Sequence, residues 1–579
     1  MKKVDNDLEE LIGFMGPFGR YQMFQFVLLA LASVNAGVHM LSLVTVAAVP
    51  EHRCFVPEVD ELLNGSVRAV AWNDSRVADL RPTRPDNSKD SCHLLDEVNG
   101  SAWTPCERWV FDDTYYVSSR AIEWEMVCDK RWMEALAKSV YMSGLLVGAV
   151  LLGNQADRFG RKPVFMAAAV LQLVVGTLVA FVPDFWSFLV LRFLYGVGTV
   201  GTLSSSFVLI MEMVGPTYRT GFGMAFQSSF SVGIVLVALW GYLIPDRQLL
   251  QAVYGLHSLL LLPQWWLVDE SARWLWSQGR TRDAVRVVSR ASRMNYGDKY
   301  KSDIANFLRK DSATADATGD VAEEAAPVPQ VSIRDLFKTP NMCRRMFNVS
   351  LNWFANSLVY YGLSLNTGQL AGNPFLNLFV AGVVDVPSYI LTGILMNLWG
   401  RRSLISTLMI LGGLACITAA FLSSGDDPVA GTAATAIVMI GKFFIAGSFA
   451  IIYNYSTELF PTAVRNTALG ASSMCARISG ALCPFISLLD SLNKSLPSTI
   501  FGCVAITSGL LSLFLPETLG RPLPQTMEEG EHFGDGDTAF SSCLGRRRPA
   551  SRAASERGRR SDSPTHQSLR QGQDSHEMS

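Results

Sequence analysis

Charged residues are scarce in this chain. They make up 17% of its 579 residues, where a soluble globular protein carries about a quarter, and this excludes an ordinary water-soluble fold for most of the sequence. The formal net charge of −2 says little by itself, and no nucleic-acid partner is expected. There is no P-loop, no cluster spaced to hold a metal and no nucleophile–base pair set on one face. Neither an enzyme nor a bound metal or cofactor is therefore expected. A cleavable signal peptide is missing too: the opening MKKVDNDLEELIGFMGPFGRYQ is charged, partly helical, and runs straight into the first apolar stretch.

What the chain does have is apolar length. Hydrophobic residues make up 49% of it and the mean hydropathy is +0.22. Runs of roughly 20 apolar residues, enough to cross about 30 Å of hydrocarbon, recur at 22–48, 134–153, 164–182, 187–210, 221–244, 250–268, 346–370, 375–398, 403–423, 432–456, 467–489 and 497–515. The expected fold class is an all-α membrane protein with twelve spans. Lys2, Lys3, Arg158, Arg161, Lys162, Arg219, Arg401, Arg402 and Arg465 fall in alternate short loops, while the opposite loops hold chiefly Arg247 and Lys494. The positive-inside rule then puts both termini in the cytoplasm.

Two hydrophilic insertions divide the chain. Residues 1–21 form an N-terminal segment, 22–268 a first six-span half, 269–344 a linker, 345–516 a second half and 517–579 a tail. The insertion at 51–130, inside the first half, is expected outside the cell. It holds Cys54, Cys92, Cys106 and Cys128 beside three glycosylation sequons, at Asn64, Asn73 and Asn99. Four cysteines in such a loop point to two disulfides, with three possible pairings. Sequons at Asn348 and Asn454 lie in or beside spans and are discounted. In the linker, SARWLWSQGRTRDAVRVVSRASRM reads as a basic amphipathic helix under the membrane. The Ala- and acid-rich DSATADATGDVAEEAAPVPQ and the Ser/Arg-rich tail read as disordered.

The halves repeat one another. GNQADRFGRKPVF answers LMNLWGRRSLI, EMVGPTYRTGFG answers ELFPTAVRNTALG, and DESARW answers PETLGRPLP, all at an offset of about 240 to 250 residues. GNQADRFGRKP resembles the loop signature of the major facilitator superfamily, and a six-plus-six repeat is that superfamily's architecture. Asp157, which can cap or pair with a neighbouring helix end, and Arg158, Arg161 and Lys162 then anchor the loop. The resemblance implies that such charges form ion pairs that hold the inward gate shut. The large first loop, ESARWL, ELFPTAVRN and LPETLGRPLPQT together resemble a narrower group, the organic cation, anion and zwitterion transporter family (solute carrier family 22), from roughly Gly13 to Met527. This resemblance adds Glu212, Arg219, Arg401, Glu458 and Arg465 to the gate and its charge network. It favours the pairings Cys54–Cys106 and Cys92–Cys128, and implies a multi-pass protein of the plasma membrane. Small organic ions and the bilayer are the expected partners.

One residue sharpens the reading. Arg477 sits in a run, roughly Thr467 to Leu489, that holds no other charge, and a mid-membrane arginine costs on the order of 3 kcal/mol. Its helical face carries Gly470, Ser473, Gly480, Ala481 and Pro484, small enough to leave room for a guanidinium. Lys442 is a second cation within a span, with Phe449 and Tyr453 on its face. The span NVSLNWFANSLVYYGLSLN sets Asn352, Asn356 and Tyr360 on one face and lines up Trp353 with Tyr360 and Phe354 with Tyr361. Asn35, His39 and Ser42 form a polar stripe in the first span. Arg477, Lys442, Tyr361, Tyr360, Trp353, Asn35 and Gln227 are the candidate substrate-binding residues of a cavity with aromatic walls and a few polar fixers.

By the resemblance, the cation-transporting branch has aspartate at the position of Arg477, whereas anion and carnitine-type carriers have arginine. A guanidinium takes a carboxylate through paired hydrogen bonds, and an aromatic box takes an ammonium; a zwitterion uses both. WFANSLVYYGLSLNT and SVNAGVHML…PEHRC look closest to carnitine-type and insect carcinine-type members. The reading is alternating-access transport of small organic cations or zwitterions, with organic anion exchange as the alternative. A non-transporting receptor built on the large loop is a third, lesser reading. Coupling to sodium, with Asn35 as a candidate contact, or to an exchanged counter-ion is compatible with it.

Overall fold

The computed structural model describes residues 2–56, 60–63, 66–68, 90–95, 103–307, 309, 336–422, 428–462, 464–535 and 537. A membrane leaves backbone N–H and C=O groups no water to bond with, so apolar runs close their hydrogen bonds within helices. The first half is built from α2 (Arg20–Val46), α3 (Trp132–Phe159), α4 (Arg161–Leu178), α5 (Phe185–Met213), α6 (Arg219–Leu243) and α7 (Arg247–Leu256), preceded by α1 (Lys2–Gly13). Between the halves lie α8 (Ala272–Ser277) and α9 (Thr281–Tyr296). The second half holds α10 (Pro340–Leu365), α11 (Pro374–Trp399), α12 (Arg401–Leu422), α13 (Pro428–Leu459), α14 (Arg465–Ser487) and α15 (Leu496–Ser512), with a short α16 (Met527–His532) after it.

Among the described residues nine helices are long and apolar enough to cross a membrane, and Leu496–Ser512 is apolar but shorter. The remaining two expected spans are helical with differences. The helix α10 carries Asn348, Asn352, Asn356 and Ser357. The sixth is broken: after α7 come a 3₁₀ stretch, His257–Leu261, and a single turn, Gln264–Leu267. Pro263 lies at that join, where its missing N–H and its ring oppose continuation of the helix.

Within the first half α3 packs on α5, α4 on α5 and α2 on α6; within the second, α12 packs on α13 and α15, and α10 on α14. The halves meet along two seams, α6 with α11 and α3 with α14. Both seams are tight toward the end that carries the 51–130 loop. There the Phe375 ring lies 5.2 Å from that of Tyr116 and 6.1 Å from that of Tyr242, and Arg131 reaches Asp490 at 2.9 Å. Toward the linker end Gly153 of α3 and Gly470 of α14 have open space beside them, while Gly393 of α11 stays within reach of Met224 of α6. The α3–α14 seam is thus closed on the loop side and looser on the linker side.

The loop folds as three short antiparallel pairs, β1 (His52–Cys54) with β6 (Trp109–Phe111), β2 (Glu61–Leu63) with β3 (Ser66–Arg68), and β4 (His93–Leu95) with β5 (Trp103–Pro105). Disulfides join Cys54 to Cys106 and Cys92 to Cys128, the expected pairing. Asn64, Asn73 and Asn99, the middle of the linker and the tail beyond 537 lie outside the described residues. The basic linker segment differs from expectation. It is two helices, interrupted at Gln278–Gly279, and its apolar side packs with Leu11, Met15 and Tyr21. That side is filled by the chain's own N-terminal segment, so it is not the bare apolar face of a membrane-surface helix.

Candidate functional site: a buried charge pair and an aromatic wall

On the linker side the two halves build the same charge network twice. Gly160, with φ +107°, and Gly400, with φ +86°, turn the chain sharply before α4 and α12. This exposes the first N–H groups of each helix to a carboxylate: Arg161 N–H and Lys162 N–H donate to Glu270 at 3.3 and 3.0 Å. Arg401 N–H and Arg402 N–H donate to Glu517 at 2.9 and 3.1 Å. A carboxylate is well placed at a helix N-terminus, where unpaired donors and the helix dipole favour negative charge. A Cβ at Gly160 would lie 2.6 Å from Glu270, and one at Gly400 2.5 Å from Glu517. The left-handed backbone and the lack of room both require glycine. Burial pushes the Glu270 carboxyl above its ordinary range, while the N–H groups of Ser271, Lys162 and Arg161 pull it the other way.

The side chains complete each copy. Arg161 Nη2 lies 3.1 Å from Glu212 and 3.1 Å from the exposed Asp157; Arg401 Nη2 lies 3.1 Å from Glu458. Arg219 Nε donates to the carbonyl of Val214, and Arg465 Nε to that of Phe460, both at 3.3 Å. Arg158 lies over the Phe159 ring and Lys162 over that of Trp265. These residues are brought together as the repeats imply, with one correction to their expected role. Each network stays inside its own half, and no ion pair between described residues crosses the linker side. The crossing pair is Arg131–Asp490, on the loop side. Glu270 and Glu517 escaped the sequence reading, although DESARW and PETLGRPLP place an acid at matching points of the repeat.

Deeper in the second half, Lys442 and Asp385 form a buried ion pair. The Nζ donates to both carboxylate oxygens at 2.7 Å, and the two side chains are 1% and 0% exposed. Tyr360 Oη donates to the same carboxylate at 2.9 Å, and Ser231, from the first half, at 3.4 Å. The Tyr360 ring also lies 4.7 Å from the ammonium. Lys442, expected to hold substrate, is therefore engaged with Asp385.

Arg477 is half-buried and bonds only within its own helix, Nη1 donating at 3.0 Å to the carbonyl and at 3.0 Å to the hydroxyl of Ser473. No carboxylate among the described residues reaches it. Its helix is pinned by Ser357, whose hydroxyl donates to the Ala476 carbonyl at 2.6 Å. Tyr361 and Tyr453 lie within electrostatic reach of the guanidinium, and Gln227, from the first half, lies beside Tyr453. Behind them stands an aromatic wall: Trp353 packs 4.4 Å from Tyr453, and Phe449 stacks 5.6 Å from Tyr360. The Trp353 Nε1 donates to Ser456 at 2.9 Å, which fixes the indole. Arg477, Tyr361, Tyr360, Trp353, Lys442 and Gln227 thus cluster as expected. Asn35 does not join them; its amide donates to Ser258 at 3.1 Å inside the first half.

The polar stripe of α2 belongs to a second cluster. His39 bonds Ser258 at 3.1 Å and meets the Tyr195 hydroxyl. Arg192 of α5, 1% exposed, donates to Ser42 at 3.3 Å and lies over the rings of Tyr141 and Tyr195. The sequence carried its signal as plainly as that of Arg477, since FLVLRFLYGVG sets an arginine in an apolar run.

Residues 108–529 match the family described as "Sugar (and other) transporter". An "Organic cation transporter protein" of Drosophila melanogaster is 37% identical over 540 residues, covering 91% of this chain and 95% of its own length. The human "Organic cation/carnitine transporter 2" is 31% identical over 543 residues, covering 90% of this chain and 94% of its own. The chain belongs to solute carrier family 22 of the major facilitator superfamily. Its fold is also that of the partially occluded, inward-open xylose transporter XylE from E. coli, with a TM-score of 0.55 and 16% identity over 87% of this chain and 100% of that one. Membership in this family makes the chain a membrane transporter of small molecules rather than an enzyme.

Proposed function

We propose that this solute carrier family 22 member moves small organic cations and zwitterions across the plasma membrane by alternating access. The observation that carries the proposal is the half-buried Arg477, without a carboxylate partner among the described residues, beside the aromatic wall of Tyr361, Tyr453, Trp353 and Phe449. A guanidinium with free donors takes a carboxylate, and electron-rich ring faces take an ammonium. A zwitterion of the carnitine kind satisfies both ends, and an amine of the carcinine kind uses the rings. The names of the organic cation and carnitine relatives support this class. In the proposed orientation the disulfide-bonded loop is outside, as oxidised cysteines favour. The termini and the two repeated networks are cytoplasmic, in keeping with their basic residues. Substrate then exchanges with the cytoplasm in the conformation described, and flux is coupled to sodium or to an exchanged counter-ion.

The same free guanidinium favours a second reading, organic anion exchange. Uptake of labelled carnitine, carcinine, tetraethylammonium and a model organic anion, with and without sodium, separates the two. Carnitine and carcinine uptake is expected in the wild type, with carnitine lost in Arg477→Ala and Arg477→Asp at equal surface expression. Saturable anion uptake that carnitine does not compete with would replace the first reading by the second.

A further inference from the structure

The first half contains a cation that the proposed site does not use. Arg192 is 1% exposed, yet no Asp or Glu among the described residues pairs with it. Its Nη1 has a hydroxyl acceptor, Ser42 at 3.3 Å, and its Nε has no acceptor at all. Asn35 Oδ1, in the same cluster, is also buried without a donor. The ring faces of Tyr141 and Tyr195, 4.5 and 5.5 Å from the guanidinium carbon, supply some compensation but no countercharge. An unpaired charge is among the most costly groups to keep inside a membrane protein, and ionisable residues retained there face a partner or a pathway.

Its place in the bundle indicates which. Arg192 lies near the loop end of α5, and the Tyr141 ring under it belongs to α3, the first-half helix of one seam. A Cβ at Gly480 of α14 would lie 3.5 Å from Met142, the neighbour of Tyr141 on α3, and 3.4 Å from Tyr361 of the Arg477 site. Two arginines, one from each half, therefore stand on either side of the seam where α3 meets α14. The loop side is closed in this structure, and Arg192 is sealed behind that closure.

We infer that Arg192 is a second anion-binding residue of the pathway, receiving a monovalent anion, carboxylate or halide, when the loop side opens and passing it toward Arg477. The inference rests on the organic-ion carrier reading given above, but its test does not. Acetate and chloride are used as probes of the purified full chain, each against gluconate, in thermal melting of wild type, Arg192→Gln and Arg192→Lys. Acetate is expected to raise the melting temperature of wild type and of Arg192→Lys, and to raise that of Arg192→Gln clearly less, since only Arg477 remains to take it there. Protection by chloride but not by acetate assigns the site to an inorganic counter-ion rather than to a substrate carboxylate. In uptake, Arg192→Gln is expected to reduce carnitine transport at least tenfold relative to tetraethylammonium, with the loss in KM, while Arg192→Lys retains most of it.

A purely structural arginine, needed for its flat stacking on Tyr141 and Tyr195, gives a different pattern. Lys then fails as badly as Gln, both lower all substrates in proportion, and anion protection is unchanged; any of these results overturns the inference. Failure of both variants to reach the membrane counts the same way. A wild type that carries none of the panel yet shows acetate or chloride protection reduced in Arg192→Gln rejects the carrier reading and leaves the site standing.

Discussion

Removing Lys442 tests whether the buried pair is structural or a ligand site. The ammonium sits 2.7 Å from both Asp385 oxygens with neither side chain appreciably exposed. At an effective dielectric of about 20 the gross attraction is about 6 kcal/mol, set against a desolvation penalty of several kcal/mol for each ion. The net worth of the pair is therefore small, but the cost of breaking it is large. Lys442→Ala leaves a buried carboxylate with two hydroxyl donors, Tyr360 at 2.9 Å and Ser231 at 3.4 Å. Truncating one partner of such a pair costs about 3–5 kcal/mol, and the retained Tyr360 bond puts Lys442→Ala near the lower end, about 3 kcal/mol. Asp385→Asn should cost a similar amount, and Lys442→Met with Asp385→Asn less than either single change. The expected coupling is at least about 2 kcal/mol. The assay is unfolding in mixed micelles with dodecyl sulfate, followed by the fluorescence of the 13 tryptophans, with uptake measured at matched surface expression. Additive single effects, or a stable Lys442→Ala carrier with a raised KM, would refute the reasoning and return Lys442 to the substrate.

Two further predictions concern the ends of the bundle. Glu270→Ala and Glu517→Ala each remove the carboxylate that caps a helix and should each cost about 1 kcal/mol, read as lower melting temperatures. Matched losses are expected because the two networks share one geometry. Arg131 and Asp490 are 28% and 24% exposed, so their pair contributes under about 1 kcal/mol. Arg131→Glu should nonetheless open the loop side more often, raising the labelling rate of an introduced Ala135→Cys by an impermeant thiol reagent, and adding Asp490→Arg should restore the slow rate.

The spans were readable because roughly 20 apolar residues in a row have few other uses, and the repeat marked both charge networks before any geometry was known. Pairings across the chain were harder. Asp385 and Lys442 are each conspicuous as charges within spans, but they lie on separate helices, and nothing in the sequence says which cation takes the one acid. The apolar side of the linker segment was equally visible, yet its occupant, the stretch around Leu11 and Met15, is nearly 270 residues away. Periodicity reveals that a face is apolar and leaves open what covers it.

The distribution of bonds also bears on how the carrier can move. Strong, multiply bonded charges lie inside each half: Arg161 with Glu212 and Glu270, Arg401 with Glu458 and Glu517, Lys442 with Asp385. The polar links between halves are few and weaker. Arg131–Asp490 is partly exposed; Ser231 reaches Asp385 at 3.4 Å, near the limit of a useful hydrogen bond; and Gln227 meets Tyr453. A rocking motion that keeps each half rigid breaks only this second group. Two of its three members touch the aromatic site itself, one through Asp385 and Tyr360 and the other through Tyr453. A substrate seated between the halves must therefore compete with, or replace, the same bonds that hold them together, so occupancy of the site and the relative position of the halves are physically one equilibrium.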